Sequence, residues 1–269
     1  MVVILYLLIT YQYSMASNTG CVPAESSDIR EAQYIGLVYN SISADFSRTR
    51  YKVWPCVSRF LDQIINESTT PSFLVGETTP SFFVGETTPS FLVGEIGCGN
   101  GKNLAYLSGN NDRIKTIGVD ISSELLNICR LQGLEVVLGS ILNIPLNDHT
   151  LDYTLSVAVI HHLRDRADRI RALRELARVT RLGGRCLITV WARVQNEGDG
   201  KRRFATNDEM VPFKTKTGET HYRFYHLYDD GELADDLAHV PEFRVANLFI
   251  ERGNYIAELV RVKQQFKPN

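Results

Sequence analysis

The chain is short of net charge, of paired cysteines and of long apolar runs, and each shortage closes off a class of protein. Its formal net charge is −2 over 269 residues. A nucleic-acid partner must then be held by a local basic patch, because the molecule as a whole is not basic. The cysteines are Cys21, Cys56, Cys98, Cys129 and Cys186, an odd number with no CxxC pair among them. That argues against a disulfide framework and against a zinc site, and the default is a reducing compartment. The apolar opening, MVVILYLLIT, is too short to span a bilayer. It also lacks the basic segment that starts a signal peptide, although Ser14–Ser17 makes a weak cleavage site. Met15 opens a polar stretch that reads as a natural start. Residues 1–28 are therefore expected to be a disordered extension, with 1–14 upstream of the protein proper, and no membrane attachment is expected.

What is present is the composition of an ordinary globule, 44% hydrophobic and 22% charged, and enough chain for one large domain over 29–265. Ile35, Val38, Tyr39, Ile42 and Phe46 recur at helical spacing, as do Val57, Phe60, Leu61 and Ile64. A nonapeptide, TTPSFLVGE with one Phe variant, then runs three times and ends at Glu77, Glu86 and Glu95. After it, apolar strand candidates at 90–96, 114–120, 134–139, 151–159 and 184–192 alternate with helix candidates at 102–107, 123–131 and 165–180. This βα alternation predicts a parallel sheet with helices on both faces. Residues 194–220 read as a substrate-side loop, 231–239 as a short helix, and 243–250 with 255–262 as an antiparallel hairpin turning at Arg252-Gly253-Asn254.

Each nonapeptide contains an apolar run suited to a buried parallel strand. Only the third flows into a glycine-rich turn, so the third copy is predicted to be the first strand. Residues 69–86 are then a surface insertion whose loop-closure cost is on the order of 1 kcal/mol.

The turn itself, GEIGCGNGK, fails as a dinucleotide fingerprint because Lys102 stands where the third glycine would be, and it fails as a P-loop because no Gly-Lys-Ser/Thr closes it. An acidic residue followed by Gly97, Gly99 and Gly101 resembles the turn of class I methyltransferases, which bind S-adenosylmethionine. Glu95 can meet the cofactor's ammonium, and the glycines allow close backbone approach. Asp120, at the tip of the second strand, can accept both ribose hydroxyls. Where many such enzymes place an aspartate for the adenine amino group, this chain has Ser140, leaving the contact to its hydroxyl or to the Ile141 backbone N–H. The fold implied is Rossmann-like α/β: a mostly parallel seven-stranded sheet with helices on both faces and a C-terminal antiparallel hairpin.

Three further stretches narrow the resemblance: VYNSISADFSRTRYKVWP, SVAVIHHLRDRADRIRALRELARVTRLGGRCLITVWA and HYRFYHLYDDGEL. Together, over 33–262, they resemble the eukaryotic tRNA wobble-uridine carboxymethyl methyltransferases, including the methyltransferase domain of their AlkB-fused animal relative. The resemblance implies methyl transfer to the carboxylate of carboxymethyluridine in the tRNA anticodon loop. It also implies a small zinc-binding activator subunit and a cytoplasmic location, with the nucleus as a second compartment. His161, His162, Arg169, Arg50 and Trp191 are candidates for positioning the acceptor. Arg166, Tyr51, Trp54, Tyr222, Arg223, Tyr225 and His226 are candidates for the RNA, since arginines interleaved with aromatics suit a splayed base. No metal ligands are expected. Arg164–Arg185 carries eight arginines against three acidic residues, which reads either as a solvated face or as a phosphate-binding stripe. Two other readings stay open: a methyltransferase for a small carboxylic acid, and a silent scaffold that binds tRNA or the activator.

Overall fold

A computed structural model describes residues 35–69, 90–108, 112–195 and 202–263. The expected extension at 1–28 and all of the 69–86 insertion except Thr69 lie outside the described residues.

Helices α1 (Leu37–Thr49) and α2 (Pro55–Thr69) follow the two periodic stretches. In α2 the predicted stripe is the buried one: Val57, Phe60, Leu61 and Ile64. Each such side chain contributes roughly 1.5–3 kcal/mol by leaving water. The third nonapeptide is indeed the first strand, β1 (Phe91–Ile96). It is followed by α3 (Lys102–Ser108), β2 (Ile114–Asp120), α4 (Ser123–Leu131), β3 (Val136–Leu138) and β4 (Leu151–Val157). A single 3-10 turn (Ile160–His162), α5 (Arg166–Val179) and the long β5 (Thr180–Trp191) complete the alternating part.

Residues 194–220 are not the predicted loop. They contain short strands β6 (Val194–Gln195) and β7 (Arg202–Arg203), and then β8 (Asp208–Lys214), which pairs antiparallel with β9 (Thr220–His226). The misreading has a physical cause. Only Val211 and Phe213 of β8 are buried hydrophobics, because one face of this two-stranded ribbon stays in water. A short helix α6 (Glu232–Leu237) leads to the expected hairpin, β10 (Phe243–Glu251) and β11 (Asn254–Arg261).

The main sheet has seven strands in the order β10-β11-β5-β4-β1-β2-β3. β1 lies parallel to both β2 and β4, so the direction of the crossovers reverses at β1. Strand side chains alternate between two cores. Cys186, Ile188 and Val190 of β5 join Ala172, Leu173 and Leu176 of α5, whereas Leu187 joins Phe60 and Leu61 of α2. Helices thus cover both faces, as predicted, and the carboxyl ends of β1, β2 and β4 meet at the switch point, where open α/β sheets place their ligands.

Candidate cofactor and acceptor cavity

A cavity of about 1010 Å3, its open mouth included, sits at that switch point. The glycine turn forms its floor. Gly97 has φ +79°, and a side chain there would collide with Val159. Gly101 (φ +76°) is glycine for another reason: a β-carbon would run into Leu134 and Cys129. Gly101 does not line the cavity, whereas Gly97 and Gly99 do. The Gly99 N–H donates to Asp120 Oδ2 (2.7 Å) and the Ser122 N–H to Oδ1 (2.9 Å), so Asp120 pins the turn to the tip of β2. Burial raises the Asp120 carboxyl, and these backbone N–H groups pull it back.

Glu95 is 1% exposed. Its Oε1 accepts from Asn103 Nδ2 (2.6 Å), while Oε2 is buried with no partner. Burial pushes its carboxyl up to about 8, against the opposing pull of Asn103 and Lys102. A buried carboxylate oxygen with nothing to accept from is costly, and a cationic ammonium in the cavity would satisfy it. Asp120 keeps unused lone pairs toward the cavity for two hydroxyls. Ile121, Leu125 and Ile141 supply an apolar wall. These residues fit S-adenosylmethionine. Ser140 turns away: its hydroxyl accepts from the Leu142 N–H (3.0 Å), and it does not line the cavity.

The α1 helix forms one wall and β9 another. Asn100 Nδ2 reaches Ser47 Oγ (3.2 Å) and the Arg50 carbonyl (3.3 Å), and Asn40 accepts from Ser122 Oγ (2.7 Å), which ties α1 to the glycine turn and to α4. Tyr39 and Phe46 of α1 line the cavity, as do Lys102 and Asn103 of α3. The sequence marks none of these four as a site residue. Tyr39 and Phe46 read as core by their spacing, and only the docking of α1 over the turn gives them another use.

His162 lines the cavity and His161 lies behind it. The His162 Nδ1–H donates to the Phe224 carbonyl (2.7 Å), and its Nε2 accepts from the Tyr39 hydroxyl (3.0 Å). Burial lowers this imidazole to about 4, so it is neutral at physiological pH. His161 is fully buried, and burial drives it well below the ordinary range. Its Nδ1 accepts from the Trp191 backbone N–H (3.1 Å), which leaves the proton on Nε2 with no acceptor. Its ring packs on Tyr225, which in turn stacks with Trp191 at 4.6 Å, and both Tyr225 and Trp191 line the cavity.

The arginines divide. Arg223 lines the cavity and is 4% exposed, lying 5.2 Å from the ring centres of both Phe213 and Tyr225. Its Nε–H has no acceptor, and no carboxylate among the described residues pairs with it. Arg50 and Trp54 also line the cavity. Arg169 does not. It is 3% exposed and donates to the Leu163 and Arg164 carbonyls (3.3 and 2.8 Å), with Glu232 at 3.4 Å and Asp236 at 3.6 Å. Arg166 pairs with Asp236 (2.7 Å), and His226 bridges Asp208 (2.8 Å) and Glu232 (2.6 Å). Arg166 and Arg169, expected to meet the RNA and the acceptor, instead meet acids of the helix over Glu232–Leu237, and with His226 form a bracket behind the cavity. Along the stripe, Arg178 pairs with Glu175 and Asp148, Arg174 donates to the His239 carbonyl, and Arg181 pairs with Asp152. Tyr51 (69% exposed) and Tyr222 (55%) lie outside the cavity, on the chain after α1 and on β9.

A family model described as a methyltransferase domain matches residues 94–188. The chain is 33% identical over 183 residues to the tRNA (carboxymethyluridine(34)-5-O)-methyltransferase of Arabidopsis thaliana, covering 68% of this chain and 39% of that protein. It is 33% identical over 186 residues to the Saccharomyces cerevisiae protein of the same name (68% and 56%). To the probable tRNA methyltransferase 9B of Bos taurus it is 34% identical over 183 residues (68% and 34%). The matched region thus spans between about a third and just over half of these relatives' lengths. In fold it resembles the 1,6-didemethyltoxoflavin-N1-methyltransferase of Burkholderia thailandensis, solved with S-adenosylhomocysteine (TM-score 0.57, 15% identity, 93% of this chain and 98% of that one). It also resembles an S-adenosylmethionine-dependent methyltransferase of Clostridium acetobutylicum (0.56, 16%, 84% and 99%).

Proposed function

We propose that this chain, a class I S-adenosylmethionine-dependent methyltransferase of the tRNA carboxymethyluridine methyltransferase family, methylates the carboxylate of carboxymethyluridine at the wobble position of tRNA. The observation that carries the proposal is Arg223, a buried guanidinium in the wall of the cofactor cavity with no carboxylate partner among the described residues. Unpaired buried charge is expensive. An anionic acceptor supplies the missing partner, and a neutral hydroxyl or amine acceptor does not.

The chemistry asks little more of the chain. A carboxylate is ionised at pH 7, so no general base is needed. The cofactor, when bound, supplies a methyl group on a sulfonium. Glu95, Asp120 and the Gly97–Gly99 backbone would hold that donor, and methyl transfer from it to a carboxylate oxygen, with the electron pair of the broken bond kept by sulfur, would require no proton to move, so the chain's residues have only to bind and orient the acceptor. Arg223 engages one oxygen and leaves the other to attack in line. His162 is neutral and hydrogen-bonded on both ring nitrogens, so it holds Tyr39 and β9 in place without taking charge from the acceptor. Trp191 and Tyr225 offer an aromatic wall for the base, and exposed Tyr51 and Tyr222 offer stacking outside it. The activator subunit implied by the family has a suitable landing place. Among the described residues β3 is an edge strand paired only to β2, with Leu138 on it and Leu131 at the end of α4 both exposed. A free sheet edge can take up a partner's strand. Among the described residues no helix is long and apolar enough to cross a membrane.

The test is methyl transfer from labelled cofactor, with and without a small zinc-binding activator subunit, to anticodon stem-loops bearing carboxymethyluridine or its carbamoyl analogue, and to small carboxylic acids. Transfer is expected to the carboxymethyl stem-loop alone. Transfer to small acids with none to RNA would refute the substrate, and binding of RNA without any transfer would favour a silent scaffold.

A further inference from the structure

Lys102 opens α3 and lines the cavity, and its Nζ stands 5.4 Å from the centre of the Trp54 ring. Among the described residues its ammonium has no hydrogen-bond or ion-pair partner. Burial lowers its proton affinity, which Glu95 raises and Arg50 lowers again. Glu95 Oε2 in the same cavity is likewise without a partner, and so is Asn103 Oδ1 beside it. This part of the cavity therefore presents one free carboxylate oxygen withdrawn from water and one free ammonium on a half-buried side chain. A plain cation would satisfy Glu95 and be opposed by Lys102, and a plain anion would do the reverse. A group carrying an ammonium and a carboxylate on the same carbon satisfies both, and S-adenosylmethionine ends in such a group.

We propose that Lys102 is a binding residue for the α-carboxylate of the cofactor, with Trp54 packed against its ammonium, and that Lys102 and Glu95 together select an α-amino-acid terminus over a plain amine. The inference rests on reading the cavity as the methyl donor's site, and it assigns that site a charge-matched subsite whose cationic half the motif alone did not reveal. Charge-assisted hydrogen bonds of this kind are about twice as strong as neutral ones.

Calorimetry with S-adenosylmethionine and with decarboxylated S-adenosylmethionine, on the full chain, tests it without any turnover. The wild type should bind the decarboxylated ligand roughly 10- to 100-fold more weakly. In Lys102→Met the gap should close to within about threefold, through weaker binding of the intact cofactor, and Lys102→Arg should restore most of it. Melting curves without ligand confirm that each variant folds. A wild-type gap that survives in Lys102→Met overturns the proposal and points to Arg50. Equal weakening of both ligands overturns it as well, by making Lys102 structural. Wild-type protein that binds the cofactor with no gap overturns the subsite alone, while protein that binds neither ligand removes the cofactor reading and the subsite with it.

Discussion

Replacing Arg223 by Met separates substrate recognition from scaffolding in a way that other arginines of this chain cannot. The side chain is 4% exposed, and its Nε–H has no acceptor. Methionine keeps much of the hydrophobic volume against Phe213 and Tyr225 and removes a buried charge that has no counterion among the described residues. Stability should therefore hold or rise, because no carboxylate is stranded among the described residues and Tyr39, which interacts with Arg223, keeps its hydrogen bond to His162. The loss falls on the acceptor: one hydrogen bond to a charged group is worth about 1.5–3 kcal/mol, a fall in kcat/KM of roughly 10- to 150-fold. The assay is single-turnover methyl transfer to a carboxymethyluridine stem-loop, with calorimetry against S-adenosylhomocysteine and a melting curve beside it. Cofactor affinity should stay within about twofold. Arg169→Met is the contrast. It takes one cation away from Asp236 and Glu232, which keep Arg166 and His226, and leaves the Leu163 and Arg164 carbonyls without their donor, so about 1–3 kcal/mol of stability should go, with activity falling in step with it. If Arg223→Met instead loses melting temperature and cofactor affinity in step with activity, Arg223 is a packing residue and the carboxylate pocket is misplaced.

Glu95 must ionise to meet an ammonium, and burial holds it near 8 beforehand. Cofactor affinity should therefore fall about tenfold per pH unit as pH drops below 8, and Glu95→Gln should flatten that slope; an unchanged slope in Glu95→Gln assigns it to another group. His162 is lowered to about 4 by burial, so it contributes stability above the unfolded value near 6.5. That contribution is lost as pH falls from there toward 4, on the order of 3 kcal/mol. Urea titrations at pH 7 and pH 4.5, with His162→Gln as reference, read it out, and equal losses in both proteins would remove His162 as the source. Deleting residues 69–86 removes two nonapeptides and keeps the one in β1. Melting temperature and cofactor affinity should hardly change, since loop shortening is worth about 1 kcal/mol; collapse of the fold would mean that an earlier copy has a structural duty.

The parallel sheet, its terminal hairpin and the choice of the third nonapeptide for β1 were legible in the sequence, as was the meeting of Glu95, Gly97, Gly99 and Asp120 at one cavity. Each rests on local rules: apolar runs at strand length, glycines where φ must be positive, an acid at a strand tip. What the sequence left open is which polar side chains face the cavity and which face one another. Arg166, Arg169 and Arg223 are the same residue type in equally suggestive motifs. Only the packing of α6 against α5 brings Asp236 and Glu232 to the first two, and only the pairing of β8 with β9 turns the third inward. Tyr39, Asn103 and Lys102 likewise acquire their neighbours through the docking of α1 and α3 around the turn. Whether a charge is matched inside the protein or left for a ligand depends on contacts between residues far apart in the chain, and those exist only once the layers are assembled.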